Sequence, residues 1–93
     1  MPELEIKLME KPDRSRFLRV RLGSEMRRGV IAQTDVPYQG TEARTTQAVL
    51  AAGGALAEYL EQTHGDNFDS GDIARKATEL FKELIMEVNQ RSH

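Results

Sequence analysis

Cysteine is missing from this 93-residue chain, and with it go disulfides, thiol nucleophiles and thiolate metal sites. Tryptophan is missing too, and two Tyr and three Phe make up the whole aromatic content. Only His64 and His93 carry imidazole, so histidine chemistry has little to draw on. No run of about 18 apolar residues occurs, which argues against a membrane-spanning helix. The first residues, Met1-Pro2-Glu3-Leu4-Glu5, show no basic start followed by an apolar stretch. No secretory signal is read there, and the expected location is cytoplasmic.

Charge is plentiful at 30% of residues, yet the net charge is only -2. It is unevenly placed. Residues 1–34 hold eight Lys or Arg against five Asp or Glu, while residues 35–93 hold five against ten. Two surfaces of opposite sign are expected. The basic part is mostly Arg, whose planar fork suits carboxylates, phosphates and flat rings. The length fits one domain, 1–93, with one modest core.

The hydrophobic period changes once, near residue 37. Leu4, Ile6 and Leu8 alternate with Glu3, Glu5 and Lys7, and Leu18, Val20 and Leu22 alternate with Phe17, Arg19 and Arg21. Period two marks half-buried strands. Lys11-Pro12-Asp13-Arg14-Ser15 between them is a turn cluster. A two-residue turn at Pro12-Asp13 would set Ile6 opposite Arg19, which a buried face excludes. An odd-length loop centred on Asp13 instead pairs Leu8 with Leu18, Ile6 with Val20 and Leu4 with Leu22. Met26 to Val36 is a weaker strand candidate, with Gly23-Ser24 as the preceding turn and Gly29 as a bulge. Residues 1–37 thus read as a hairpin or a three-stranded meander.

The sheet's other face follows from parity. Met9 falls opposite Phe17, Glu5 opposite Arg21, and Lys7 opposite Arg19, a like-charge pair that needs neutralising. With a short connection through Gly23-Ser24-Glu25, Ile31 comes beside Phe17. The result is an exposed apolar trio of Met9, Phe17 and Ile31, ringed by Arg19, Arg21 and Arg27. Arg, Met and aromatic residues are enriched at the centres of protein interfaces, which makes these six a candidate partner-binding site. The plain alternative is a solvated face on which long Arg stems cover apolar surface.

Helical periodicity follows. The first helix spans 41–64, with Thr41 as N-cap and Gly65 as the left-handed residue after its end. Val49, Ala52, Gly53, Leu56 and Leu60 form its apolar stripe, and no polar side chain occurs from Ala48 to Ala57. Gly53-Gly54 in mid-helix costs about 1 kcal/mol per Gly relative to Ala. Close packing beneath a second helix would offset that; a homodimer seam along Ala51, Gly54 and Ala55 is the alternative. The second helix spans 69–90, with Asp69 as N-cap, a Phe68–Ile73 hydrophobic staple, and a stripe of Ile73, Ala77, Leu80, Phe81, Leu84, Ile85 and Val88. The expected architecture is a two-layer α+β sandwich, with two antiparallel helices on one sheet face.

Catalytic motifs are not found. Asp66 to Asp72 has the wrong order for a calcium loop, since Phe68 and Ala77 stand where ligands are needed. Gly53-Gly54 lacks a following Lys-Ser/Thr and is no phosphate loop. No nucleophile–base pair, metal cluster or cofactor fingerprint stands out. The chain is therefore expected to be a non-enzymatic binding module that contacts a larger protein or protein complex, regulatory or inhibitory, of the kind phages and mobile elements encode. The alternative partner is nucleic acid, bound through Arg14, Arg16, Arg19, Arg21, Arg27 and Arg28, although one Phe is a thin stacking platform.

Overall fold

The computed structural model describes residues 2–38 and 40–91. Strands β1 (Glu3–Glu10), β2 (Arg16–Gly23) and β3 (Ile31–Pro37) form an antiparallel sheet in that order, and helices α1 (Glu42–His64) and α2 (Ser70–Arg91) follow. The change of period at residue 37 therefore marks the change from sheet to helix, and the third strand is present. Both helices cover the same face, α2 over β1 and α1 over β2 and β3. The covered face carries Leu4, Leu18, Val20, Leu22, Ala32 and Val36, all buried. Val49, Leu56, Leu60, Ile73, Ala77 and Phe81 meet them from the helices. Neither helix is long and apolar enough to cross a membrane.

The first hairpin has the register that parity requires: Leu8 faces Leu18, Ile6 faces Val20 and Leu4 faces Leu22. Pairing of Glu10 with Arg16 leaves a five-residue loop centred on Asp13. Asp13 closes it by accepting hydrogen bonds from the Ser15 backbone N–H at 2.9 Å and hydroxyl at 2.6 Å.

The second hairpin departs from the expected one. Phe17 faces Pro37, and Ile31 faces Gly23. Ile31 is thus displaced from Phe17 by six residues, about 20 Å along the sheet. The displacement is even, so Ile31 stays on the uncovered face. Its cause is Asp66, in the connection between the helices and 5% exposed. The Asp66 carboxylate accepts from the Ser24 hydroxyl at 2.6 Å, Glu25 N–H at 2.7 Å and Met26 N–H at 3.0 Å. Residues 24–30 are thereby held as a loop. A turn closes it, with Val30 N–H donating to the Arg27 carbonyl at 3.2 Å and Gly29 at φ 87°. Gly29 supplies a left-handed turn conformation, not the bulge read from the sequence.

The helix ends match their expected caps. The Thr41 hydroxyl accepts from Arg44 N–H at 3.2 Å. Gly65, at φ 73°, ends α1 by donating to Glu61, while Asp66 N–H reaches back to Leu60. This left-handed cap turns Asp66 toward the sheet end. Asp69 caps α2 through Gly71 and Asp72 N–H.

The mid-helix glycines differ from each other. A Cβ on Gly53 would meet Ile73 Cγ2 at 3.1 Å, whereas a Cβ on Gly54 would meet nothing within 4 Å. The close packing under α2 is thus made at Gly53 by a side chain, and not at Gly54. Gly54→Ala should therefore raise unfolding free energy by about 1 kcal/mol. Gly53→Ala should gain none of it, because buried, β-branched Ile73 must shift. Denaturant melts of the two variants measure the contrast.

Asp66 also sets an acid limit. Burial pushes its carboxyl upward, but the bonds from Ser24, Met26 and Glu25, with the charge of His64, outweigh burial and hold it below the ordinary 3.8. A lowered folded-state value stabilises the native state above about pH 4, and that contribution is lost as pH falls through the folded value. Asp66→Asn should lower the melting temperature at pH 7 and flatten the acid limb below pH 4. An unchanged acid limb would remove Asp66 from this role.

Candidate functional site

The face of the sheet away from the helices is built by parity, and the two registers arrange it as four rows. Glu3, Gly23 and Ile31 form the first; Glu5, Arg21 and Gln33 the second; Lys7, Arg19 and Asp35 the third; Met9, Phe17 and Pro37 the fourth. Met9, Phe17 and Pro37 make one end apolar, Ile31 stands at the other beside Glu3, and charge lies between.

Phe17 anchors one end. It is half-buried, between Met9 and Pro37 on the flanking strands. Lys11 Nζ lies 5.7 Å and Arg19 Cζ 5.6 Å from its ring centroid, both within cation–π range. These two cations cover the ring. Phe17, and Met9 beside it, are half-buried, where period two alone predicts full exposure. Ile31 stands at the opposite end, 52% exposed. Arg27 lies in the 24–30 loop, where its N–H donates to the Ser24 hydroxyl at 2.9 Å. The expected cluster of Met9, Phe17 and Ile31 ringed by Arg19, Arg21 and Arg27 is thus divided. Met9, Phe17 and Arg19 share one end; Ile31 and Arg27 belong to the other; Arg21 lies between.

The charged rows neutralise themselves. Arg19 forks onto Asp35 across the β2–β3 pair, Nε to Oδ1 at 3.0 Å and Nη2 to Oδ2 at 3.4 Å. The hydrogen bond, then the charge, of Asp35 holds the guanidinium still more firmly protonated. Glu5 lies 3.2 Å from Lys7 Nζ and 3.8 Å from Arg21 Nη1. The like-charged Lys7–Arg19 pair is therefore flanked by a carboxylate on each side. Arg21 Nε is buried without a hydrogen-bond partner.

At the Ile31 end, Gly23 has no side chain, and the Glu3 carboxylate comes within 3.0 Å of where a Cβ would stand. A hollow of about 260 Å³ results, lined by Glu3, Leu4, Glu5, Arg21, Gly23 and Ile31. No family model matches the chain, nor does any curated protein or solved structure.

Elsewhere, the acidic segment is structural. Asp66 binds the 24–26 loop, Asp69 caps α2 and Asp72 pairs with Arg75. Among the described residues no group of three or more His, Asp or Glu is placed to hold a metal ion. The suggested seam residues Ala51, Gly54 and Ala55 are all exposed on α1. Sequence reasoning missed the partnership of Asp35 with Arg19, the place of Lys11 over Phe17, and the exposure of Met26 and Tyr59, 69% and 54%.

The two sides of β2 are separable by mutation. Leu18 is fully buried, and Leu18→Ala should cost about 2–5 kcal/mol. Phe17→Ala should cost clearly less than the ~3–5 kcal/mol of a core Phe. Thermal melts that rank the pair the other way would contradict the described facing of the strand.

Proposed function

We propose that this chain is a non-enzymatic binding module that acts by protein–protein contact, in a regulatory or inhibitory role, through the Phe17 end of its uncovered sheet face. The observation that carries this reading is Phe17 itself. An aromatic ring on a face with no second layer, backed by Met9 and Pro37 and flanked by two cations, has the composition of an interface centre with a polar rim. Lys11 can move off the ring to admit an apolar group while keeping its charge toward a carboxylate at the rim, and Arg19 stays forked on Asp35.

The neighbouring charges favour a protein partner over nucleic acid. Arg19 and Arg21 already face carboxylates. Arg14 and Arg16 lie at one end of β2, and Arg27 and Arg28 follow its other end, about 23 Å away along an eight-residue strand. Phosphate binding would have to compete with Asp35 and Glu5 for the central pair.

The test is a pull-down from the native host with mass spectrometry, with and without nuclease, using wild type and Phe17→Ala. A nuclease-resistant partner should bind wild type, and Phe17→Ala should weaken it by about 1–2 kcal/mol or more with the fold retained. Retention of nucleic acid alone, with affinity falling steeply in salt at about −0.9 per phosphate in log–log slope, would replace this reading with the other.

A further inference from the structure

The sheet has two edges, and they differ. The β1 edge alternates Glu3, Glu5, Lys7 and, past Met9, Glu10, the kind of charge that keeps edges from pairing. The β3 edge, Ile31–Pro37, carries Asp35 as its one charged residue, and Asp35 is turned to Arg19. Beside β3, between its edge and α1, runs a groove of about 490 Å³ lined by Ile31, Gln33, Thr34, Ala55, Leu56 and Tyr59, with Ala32 and Ala52 at its base. None of these eight is charged, in a chain that is 30% charged.

The hydrogen-bond phase of the edge follows from its inner side. Ser24 N–H donates to Val30, and Tyr38 N–H to Arg16. Even-numbered residues of this segment therefore turn their backbone groups toward β2. Ile31, Gln33 and Asp35 turn theirs outward, and Pro37 has no N–H to offer. Self-pairing of two antiparallel β3 strands can use all three outward N–H groups of both copies in one register, with Gln33 opposite Gln33. Ile31 then pairs with Asp35 of the other copy. Shifting the register by one pair brings in Pro37 or the turn residue Gly29 and leaves N–H groups unmatched.

The helices fit the same arrangement. Helix α1 packs over β2 and β3. With its axis midway between those strands, one strand spacing across the seam would set the two α1 axes about 10 Å apart, the usual separation of packed helices. The α1 side chains that line the groove there are Ala52, Ala55, Leu56 and Tyr59. A wall formed by a strand about 20 Å long and a helix about 35 Å long, each layer about 10 Å thick, would hide about 550 Å² per copy. The pair would hide about 1,100 Å², above the roughly 1,000 Å² that a biological interface should clear.

We infer that the chain forms a two-fold symmetric homodimer through β3, with Gln33 on the axis, the two sheets joined into one of six strands and the two α1 helices packed across the seam. This is independent of the Phe17 reading. Both Phe17 ends remain free on the joined outer face.

Sedimentation equilibrium of the purified full chain over a wide concentration range reads the mass. Wild type should reach twice the 10.5 kDa chain mass. Gln33→Glu places an acid beside Arg21 within each copy, which the fold tolerates, but sets two carboxylates face to face across the axis, and should raise the dimer dissociation constant about tenfold or more. Because the chain has no cysteine, register is read by Gln33→Cys under mild oxidation. A central hydrogen-bonded pair has Cα atoms about 5.5 Å apart, within disulfide reach. Ile31→Cys, about 13 Å from its own copy in this register, should cross-link far more slowly. Phe17→Ala should leave the mass unchanged. A chain that stays monomeric throughout, as it would if this edge instead took a strand from another protein, overturns the proposal. So does a dimer unaffected by Gln33→Glu, or equal cross-linking at positions 31 and 33.

Discussion

Strand β2 is the constraint on which the rest depends. It is the central strand, so both of its edges are used for pairing and its two faces must differ. Leu18, Val20 and Leu22 are wholly buried under the helices, and every intervening residue is forced to the side that has no cover. Phe17, Arg19 and Arg21 stand there because of what Leu18 and Val20 do. In a chain of this size one core uses most of the apolar side chains available. The uncovered face is then filled by pairs that satisfy each other along the rows, and by an aromatic whose ring is shielded by cations.

Asp66 supplies the long-range fastening that hydrophobic burial alone does not specify. The core would accept several registers of β3, since any even shift keeps Ala32, Thr34 and Val36 on the inner side. Three hydrogen bonds from residues 24–26 to one buried carboxylate choose among them, because a segment tied to the α1–α2 connection cannot also extend the strand. The choice has consequences at the surface. It moves Ile31 to the far end of the sheet and brings Asp35 to Arg19 and Pro37 to Phe17.

What could be read from the residues divides along the same line. The β1–β2 register was legible because alternation on both strands, and the parity of one short loop, leave one solution. The helix limits were legible because Thr41, Gly65 and Asp69 are local signals whose meaning needs no tertiary contact. The β2–β3 register was not, since its determinant lies 42 residues from Ser24 in sequence and Asp66 looks like one more turn residue beside Gly65 and Asn67. For the same reason the candidate site was only half legible. Which residues face outward follows from period two, whereas which of them are neighbours depends on a register that alternation cannot supply.

The glycine pair shows how far packing explains α1 and where explanation passes to its surface. Gly53 is accounted for by Ile73, whose methyl occupies the space a side chain would need. Gly54 meets no such neighbour within the chain, although a helix gains about 1 kcal/mol from Ala in place of Gly, and Ala51 and Ala55 beside it are exposed. The adjoining β3 edge is likewise short of charge while the opposite edge is well supplied. Two neighbouring elements, a helix and a strand, are thus both stripped of the features that keep surfaces apart. A single wall against which another layer can close accounts for both at once, and for the β1 edge being guarded when β3 is not.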